Sequence, residues 1–319
     1  MGRRKIGWIA IVAILSAAGC LQESRPALRV GTSIWPGYEP MYLAQSLGSY
    51  DPKQIQVIDF PSAVEVTRAY RNGAIDVAAL TADEALSVAA TDPDTNKIIL
   101  IADFSSGADC ILMQPHYTKF AQLKDLRVGV ESNALGGYVL MRALELHSMR
   151  IGDIRPVTMS QDEHVLAFEE ERIDAVVTAE PMCSRLSASG ASVVFTSKEI
   201  PGEVVDTIVT RVEFVKTRRE ALLHFTRGWF DAIDYMKREP QAAAERIAIH
   251  ERISPEAFLA ASQGLELLDR AGNLRLLNSG GISKSLTSLS QTMLSHGLVQ
   301  APVDVSNLFD ASMIEQSGQ

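Results

Sequence analysis

The sequence predicts an α/β fold of two lobes, each built on a mainly parallel sheet flanked by helices. Short apolar runs of strand length alternate with amphipathic stretches of helix length from Leu28 to Phe195. The strand-like runs are near-continuously apolar, the pattern of strands covered on both faces. Two strings also recur: "LRVG" stands at Leu28 and again at Leu126, and "IDVAAL" from Ile75 is echoed by "IDAVVT" from Ile173. In both cases the second string begins 47 residues after the first. Two matches held at one spacing point to two lobes of similar plan.

The chain opens on Arg3, Arg4 and Lys5, then the apolar run Ile6 to Leu15, then "SAAGC" from Ser16 to Cys20. A basic segment, an apolar segment and small residues make an export signal over residues 1–19. The run is only about half of the ~20 residues a spanning helix needs, so it reads as a signal and not as an anchor. Ala18 and Gly19 directly before Cys20 resemble a bacterial lipobox, in which the thiol is lipidated and becomes the new N-terminus; Ala17 stands where that pattern prefers Leu. The resemblance implies lipidation at Cys20, a linker over residues 20–27, and a periplasmic or extracytoplasmic body anchored to a bacterial membrane by its acyl chains.

In the first copy the expected strands are Leu28 to Ile34, Ile55 to Phe60, Ile75 to Leu80 and Ile98 to Phe104, with helices over Glu39 to Leu47, Ala63 to Arg71 and Asp83 to Ala90. The second gives strands at Leu126 to Glu131, Arg155 to Met159, Ile173 to Thr178 and Ser192 to Phe195, with helices over Gly136 to His147, Gln161 to Glu171 and Pro181 to Ser189. Extended crossings near 110–115 and 203–211 join the copies and form a hinge. Lobe 1 is therefore expected over 28–110 plus 207–319, and lobe 2 over 111–206. From Thr217 the chain turns helical: Thr217 with Glu220 reads as a capping box, Ser254-Pro255 starts another helix, and Ile282 to His296 is a third. These helices are expected to pack on lobe 1, with Trp229 and Phe230 in its core.

Composition narrows the functional classes. The 319 residues, 46% hydrophobic and 22% charged, suit one or two globular domains. Removing residues 1–19 takes away three positive charges and no acid, lowering the formal charge from −9 to −12. Nucleic acid is disfavoured as a partner. After Cys20 only Cys110 and Cys183 remain, spaced as neither a zinc ribbon nor a redox pair. Buried free thiols and an extracytoplasmic disulfide both stay open. The six histidines are dispersed, and no "GxSxG", "HExxH" or P-loop is present. No catalytic residue, metal or cofactor is expected.

The first strand running into "SIWPGYEPMYLAQ", with "LRVGVES" opening the second copy and "IDAVVTAEP" later in it, resembles the ABC-transporter substrate-binding proteins. The nearest branch is the nitrate, sulfonate and taurine group, with relatives for thiamine-precursor pyrimidines. The resemblance runs from Leu28 to Arg211. It implies a type II periplasmic-binding-protein fold, a monomer whose lobes close on a small solute and then dock on the transmembrane subunits of an ABC permease. A binding protein that presents its closed form to a membrane receptor is a second reading. Enzymes for pyrimidine synthesis and menaquinone-pathway ring formation share that fold, but they are cytoplasmic, and the pyrimidine synthase carries a cysteine-rich motif that three scattered cysteines do not supply.

Parallel sheets place ligands beyond the carboxyl ends of their strands, which selects the candidate residues. The loop after the first strand offers Trp35, Tyr38 and Glu39, with Gly37 allowing a tight turn and Glu39-Pro40 starting a helix. The next loops offer Thr81 and Asp83, then Ser106 and Asp109. In lobe 2, Ser132, Asn133 and Ala134 precede a helix start whose N–H groups suit an anion or carbonyl. Glu180 follows the third strand of lobe 2, and Asp206 lies in the return crossing. Each acid also has a plain structural role open to it, as a helix cap or hinge hydrogen bond. Together the acids and aromatics favour a small nitrogenous solute, cationic, zwitterionic or a neutral heterocycle.

Overall fold

The computed structural model describes residues 26–132 and 135–318; the expected export signal, Cys20, Asn133 and Ala134 lie outside the described residues. The strands in chain order are β1 (Leu28–Thr32), β2 (Ile55–Asp59), β3 (Val77–Thr81), β4 (Asn96–Ser105), β5 (Asp109–Met113), β6 (Arg127–Val130), β7 (Arg155–Thr158), β8 (Ala175–Ala179), β9 (Ser192–Thr196), β10 (Val205–Arg211) and β11 (Leu265–Leu267). They form a six-stranded sheet ordered β11-β4-β10-β3-β1-β2 and a five-stranded sheet ordered β7-β6-β8-β5-β9. Both are parallel apart from strands that arrive from elsewhere. β10 runs against β3 and β4, β11 runs against β4, and β5 runs against β8 and β9. A strand entering from the opposite lobe starts at the cleft, so it runs opposite to strands that end there.

The helices are α1 (Pro40–Ser46), α2 (Ala63–Arg71), α3 (Ala82–Thr91), α4 (Leu135–Leu146), α5 (His164–Glu169), α6 (Met182–Ala188), α7 (Val212–Thr217), α8 (Arg219–Arg238), α9 (Pro240–Glu251), α10 (Pro255–Ser262), α11 (Arg270–Asn278), α12 (Gly281–Ser295) and α13 (Ser312–Gln316). The C-terminal helices cover both faces of the first sheet. Phe225, Trp229 and Phe230 of α8 join the core that holds Leu28, Val30 and Val77, whereas Ile282, Leu286 and Met293 of α12 join the one that holds Ala78, Leu80 and Ile101. This two-sided cover is why the strands read as continuous apolar runs.

The repeated strings have one physical cause. Arg29 Nη2 lies 2.6 Å from Asp76 Oδ1 and donates to the Gly73 carbonyl, and Arg127 Nη2 lies 2.7 Å from Asp174 Oδ1 and donates to the Glu171 carbonyl. Each pair ties the start of a lobe's first parallel strand to the turn before its neighbour. The glycines match too: a Cβ on Gly31 would fall 2.3 Å from Ile75 Cδ1, and one on Gly129 would fall 2.6 Å from Ile173 Cδ1. "LRVG" and "ID" recur because each Ile packs where a side chain on the Gly would sit.

Several expectations change. Cys110 to Gln114 and Glu203 to Arg211 are not free crossings, since β5 and β10 are interior strands of their sheets. The crossovers are shorter and earlier, after Ser105 and before Val205, so β5 from Asp109 belongs to lobe 2 and β10 from Val205 to lobe 1. Gly107 and Gly202 take φ of +116° and +74° there, values that favour glycine. The Ser197 hydroxyl links the two crossovers, lying 2.8 Å from Ser105 Oγ and accepting from the Gly107 N–H at 2.7 Å. Thr217 ends α7, with its hydroxyl donating to the Glu213 carbonyl, and the residue directly before α8 is Arg218. Ser254 does cap α10, accepting from the Ala257 N–H. Cys110 and Cys183 are joined in a disulfide.

Candidate functional site

A cavity of about 70 Å³ lies where strand ends of the two sheets meet. From the first sheet it is lined by Ser33, Ile34, Trp35, Tyr38, Thr81 and Asp206, and from the second by Asp109, Glu131, Thr178 and Ala179, with Gly136 and Val139 of α4 and His164 of α5. The antiparallel strands explain two of these. β5 and β10 begin at the cleft, so their early residues Asp109 and Asp206 reach it, while β1, β3 and β8 contribute residues from or just beyond their carboxyl ends.

The loop after β1 is organised by acids. Trp35 Nε1 donates to Asp103 Oδ2 at 3.2 Å, and the Tyr38 hydroxyl donates to Asp206 Oδ1 at 2.7 Å. Both rings are buried, and both acids are at most 2% exposed. Asp103 and Asp206 face each other in the β4–β10 register. Burial pushes the Asp103 carboxyl up to about 7 and raises Asp206, a rise that the neighbouring Asp103 charge reinforces. Gly37 is required for space and not for a turn. A Cβ there would meet Asp103 Oδ2 at 1.9 Å and Trp35 Nε1 at 2.4 Å.

More acids surround this pair. Burial lifts Asp109 to about 7, and Glu84 to about 8 with the Asp83 charge adding to it. Glu84 accepts the Thr81 N–H at 3.0 Å through one oxygen; its other oxygen, like Asp109 Oδ2, Asp206 Oδ2 and Asp103 Oδ1, has no hydrogen-bond partner among the described residues. Across the cleft, Glu131 accepts the Val64 N–H of α2 at 3.4 Å, a contact between the lobes at a helix N-terminus. His164, 2% exposed, sits 3.1 Å through Nδ1 from Thr178 Oγ1, and its Nε2 has no partner. Burial lowers its pKa to about 4, so the ring is neutral at physiological pH.

Of the predicted residues, Trp35, Tyr38, Thr81, Asp109 and Asp206 line the cavity. The others do not. Glu39 turns away to His250, whose Nδ1 lies 2.9 Å from Glu39 Oε1 and whose Nε2 lies 3.2 Å from Asp59 Oδ2. Asp83 accepts the Thr81 hydroxyl at 2.7 Å and faces a neighbouring groove that Ser132 also lines. Ser132 pairs with Thr158 at 2.9 Å, and Ser106 lies in the crossover with its N–H on the Gly264 carbonyl. Glu180 caps α6 through Ser184. Asn133 and Ala134 fall outside the described residues. Reasoning from strand ends missed Asp103, Glu84, Glu131 and His164. Glu131 follows β6 directly and the same rule reaches it; Asp103 carries the signal of an acid inside the apolar run "IILIADF".

A model of the NMT1-like family matches residues 22–250. The taurine-binding periplasmic protein of Escherichia coli strain K12 is 20% identical over 313 residues, covering 96% of this chain and 92% of that protein. The alkanesulfonate-binding protein SsuA of Xanthomonas axonopodis pv. citri, solved with MOPS bound, superposes with a TM-score of 0.76 at 16% identity, over 90% of this chain and 99% of SsuA. The desulfurization enzyme DszB superposes with a TM-score of 0.68 at 15% identity, over 92% and 99% of the two chains. The fold is therefore that of the two-lobed periplasmic binding proteins, and it also carries an enzyme.

Proposed function

The chain belongs to the NMT1-like family, and from that premise we propose that it is an extracytoplasmic solute-binding protein of an ABC import system. It captures a small nitrogenous or sulfonate-type solute between its lobes and delivers it to the permease. One observation carries the reading: a cavity walled by strand ends of both sheets, lined by residues whose buried polar atoms lack partners. The likeness to taurine- and sulfonate-binding periplasmic proteins supports it.

The mechanism needs no covalent step. A solute shifts a two-lobed protein toward closure only by binding the closed form better than the open one. The crossovers at Gly107 and Gly202, linked through Ser197, are the short segments about which the lobes turn. Closure brings Glu131 to the α2 N-terminus and seals the cavity. Cys20 holds the body at the membrane through lipid; no helix among the described residues is long and apolar enough to cross one.

A thermal-shift screen of small nitrogen and sulfur metabolites tests the solute role. A true solute at about 100 times its Kd adds about 2.7 kcal/mol of stability, a shift of several degrees. Silence across every chemical class counts against the proposal. The anchor is tested separately: Cys20→Ala moves the protein from the membrane to the soluble fraction, and continued membrane fractionation refutes lipidation at that residue.

A further inference from the structure

We propose that the solute is an organic cation, a primary ammonium compound carrying a neutral polar group, with its ammonium held on the acidic wall formed by Glu84, Asp109 and Asp206. This assignment rests on the cavity being the solute site. The residues lining it include Glu84, Asp109, Glu131 and Asp206, and no Lys or Arg among the described residues. Among the described lining residues no basic side chain would offset the charge of an anionic solute. Glu84, Asp109 and Asp206 are each at most 4% exposed and each presents one oxygen without a partner. Without a ligand these acids retain protons near neutral pH; a primary ammonium brings three donors to their oxygens and favours the carboxylate forms. Trp35 and Tyr38 line the same space, and aromatic walls favour a desolvated cation.

The second observation comes from the other lobe and is independent of the acids. His164 lines the cavity and is buried, its Nδ1 is engaged by Thr178, and its Nε2 has no hydrogen-bond partner among the described residues. A neutral imidazole nitrogen exchanges a hydrogen bond with a hydroxyl or amide and gives a sulfonate no charge to pair with. Ser132, which could have met an acidic end, pairs instead with Thr158 outside the cavity. Nor do the acids form a metal-ligand set: among the described residues no group of three or more His, Cys, Asp or Glu side chains is placed to hold a metal ion.

Ethanolamine, taurine and isethionate share a two-carbon chain and carry an ammonium with a hydroxyl, an ammonium with a sulfonate, and a hydroxyl with a sulfonate, so they separate the cases. Isothermal calorimetry on the protein with these three, plus 3-amino-1-propanol, putrescine and agmatine, should find ethanolamine or 3-amino-1-propanol bound 100-fold more tightly than isethionate, and a hit confined to the dications putrescine and agmatine would overturn the neutral polar group. Asp206→Asn and Asp109→Asn should each weaken that amine at least tenfold while the ligand-free melting temperature stays level or rises. Binding of isethionate or taurine with none of the amines overturns the cation assignment and leaves the solute role intact. So does a hit confined to neutral heterocycles. Amine affinity that survives both Asn variants removes the acidic wall from the site, and no binding by any class in the wider screen overturns the solute role itself.

Discussion

A Cβ on Gly37 would occupy the space through which Trp35 reaches Asp103, which makes a residue without a side chain a determinant of the site. Its backbone φ lies outside the left-handed region, so alanine is excluded by atoms and not by conformation. Gly37→Ala should break the Trp35–Asp103 hydrogen bond and lower stability by about 1–3 kcal/mol, the usual range for overpacking, as read by urea denaturation. An unchanged midpoint would mean the loop re-forms without cost. The aromatics of this loop were legible in the sequence, because a Trp and a Tyr in a strand-end connection have few other uses. Their partners were not. Asp103 lies 68 residues from Trp35 and Asp206 lies 168 from Tyr38, and no local pattern links residues so far apart. Glu39 shows the opposite case, with a predicted site acid drawn away by His250, which is itself stacked on Tyr42.

Among the elements, β5 and β10 matter most, because each crosses from one lobe and completes the sheet of the other. β5 is also tied to α6 by the Cys110–Cys183 disulfide, which closes a loop with a sequence separation of 73 residues. Constraining a loop of that length stabilises a folded chain by typically 2–4 kcal/mol relative to its unfolded state. The double variant Cys110→Ser, Cys183→Ser should therefore lose roughly that much in chemical denaturation, and wild-type protein should lose a similar amount when reductant is present. If reductant leaves the midpoint of the wild type unmoved, the bond contributes nothing to stability. Apolar runs announced both strands, yet not their direction. That follows from the topology, since a strand beginning at the cleft must run against strands that finish there.

For the molecule as a whole, pH dependence follows from the concentration of buried acids. Asp83 is raised to about 6, Asp103 and Asp109 to about 7, and Glu84 and Glu251 to about 8, in each case first by burial. Folded values above the unfolded ones mean that these groups favour the folded state at low pH and lose that contribution as pH rises through about 6–8. His250 acts in the same sense. Burial opposes its charge, but hydrogen bonds to Asp59 and Glu39 outweigh it and hold the ring up to about 10, so its contribution declines as pH rises from about 6.5 and is gone by about 10. His164, depressed to about 4, has the opposite sense and costs stability as pH falls below about 6.5. The ligand-free protein should therefore melt several degrees lower at pH 8.5 than at pH 6.5, at roughly 2–4 °C for each kcal/mol. A bound amine should narrow the gap, because it favours the ionised acids. Equal melting temperatures at the two pH values would show that the acids remain solvated.

The sequence by itself determined the class of fold, the duplication, the strand and helix content of both copies, and a loop whose aromatics had no place in a helix or strand. These are local or periodic properties, written by apolar spacing and by pairs such as Arg29 with Asp76 and Arg127 with Asp174 that repeat at one separation. Tertiary structure alone decided which acids meet. Asp103, Asp109 and Asp206 come together because crossing strands from two sheets converge on one cleft, and burial there, not their spacing along the chain, sets their protonation and the charge the cavity offers to a solute.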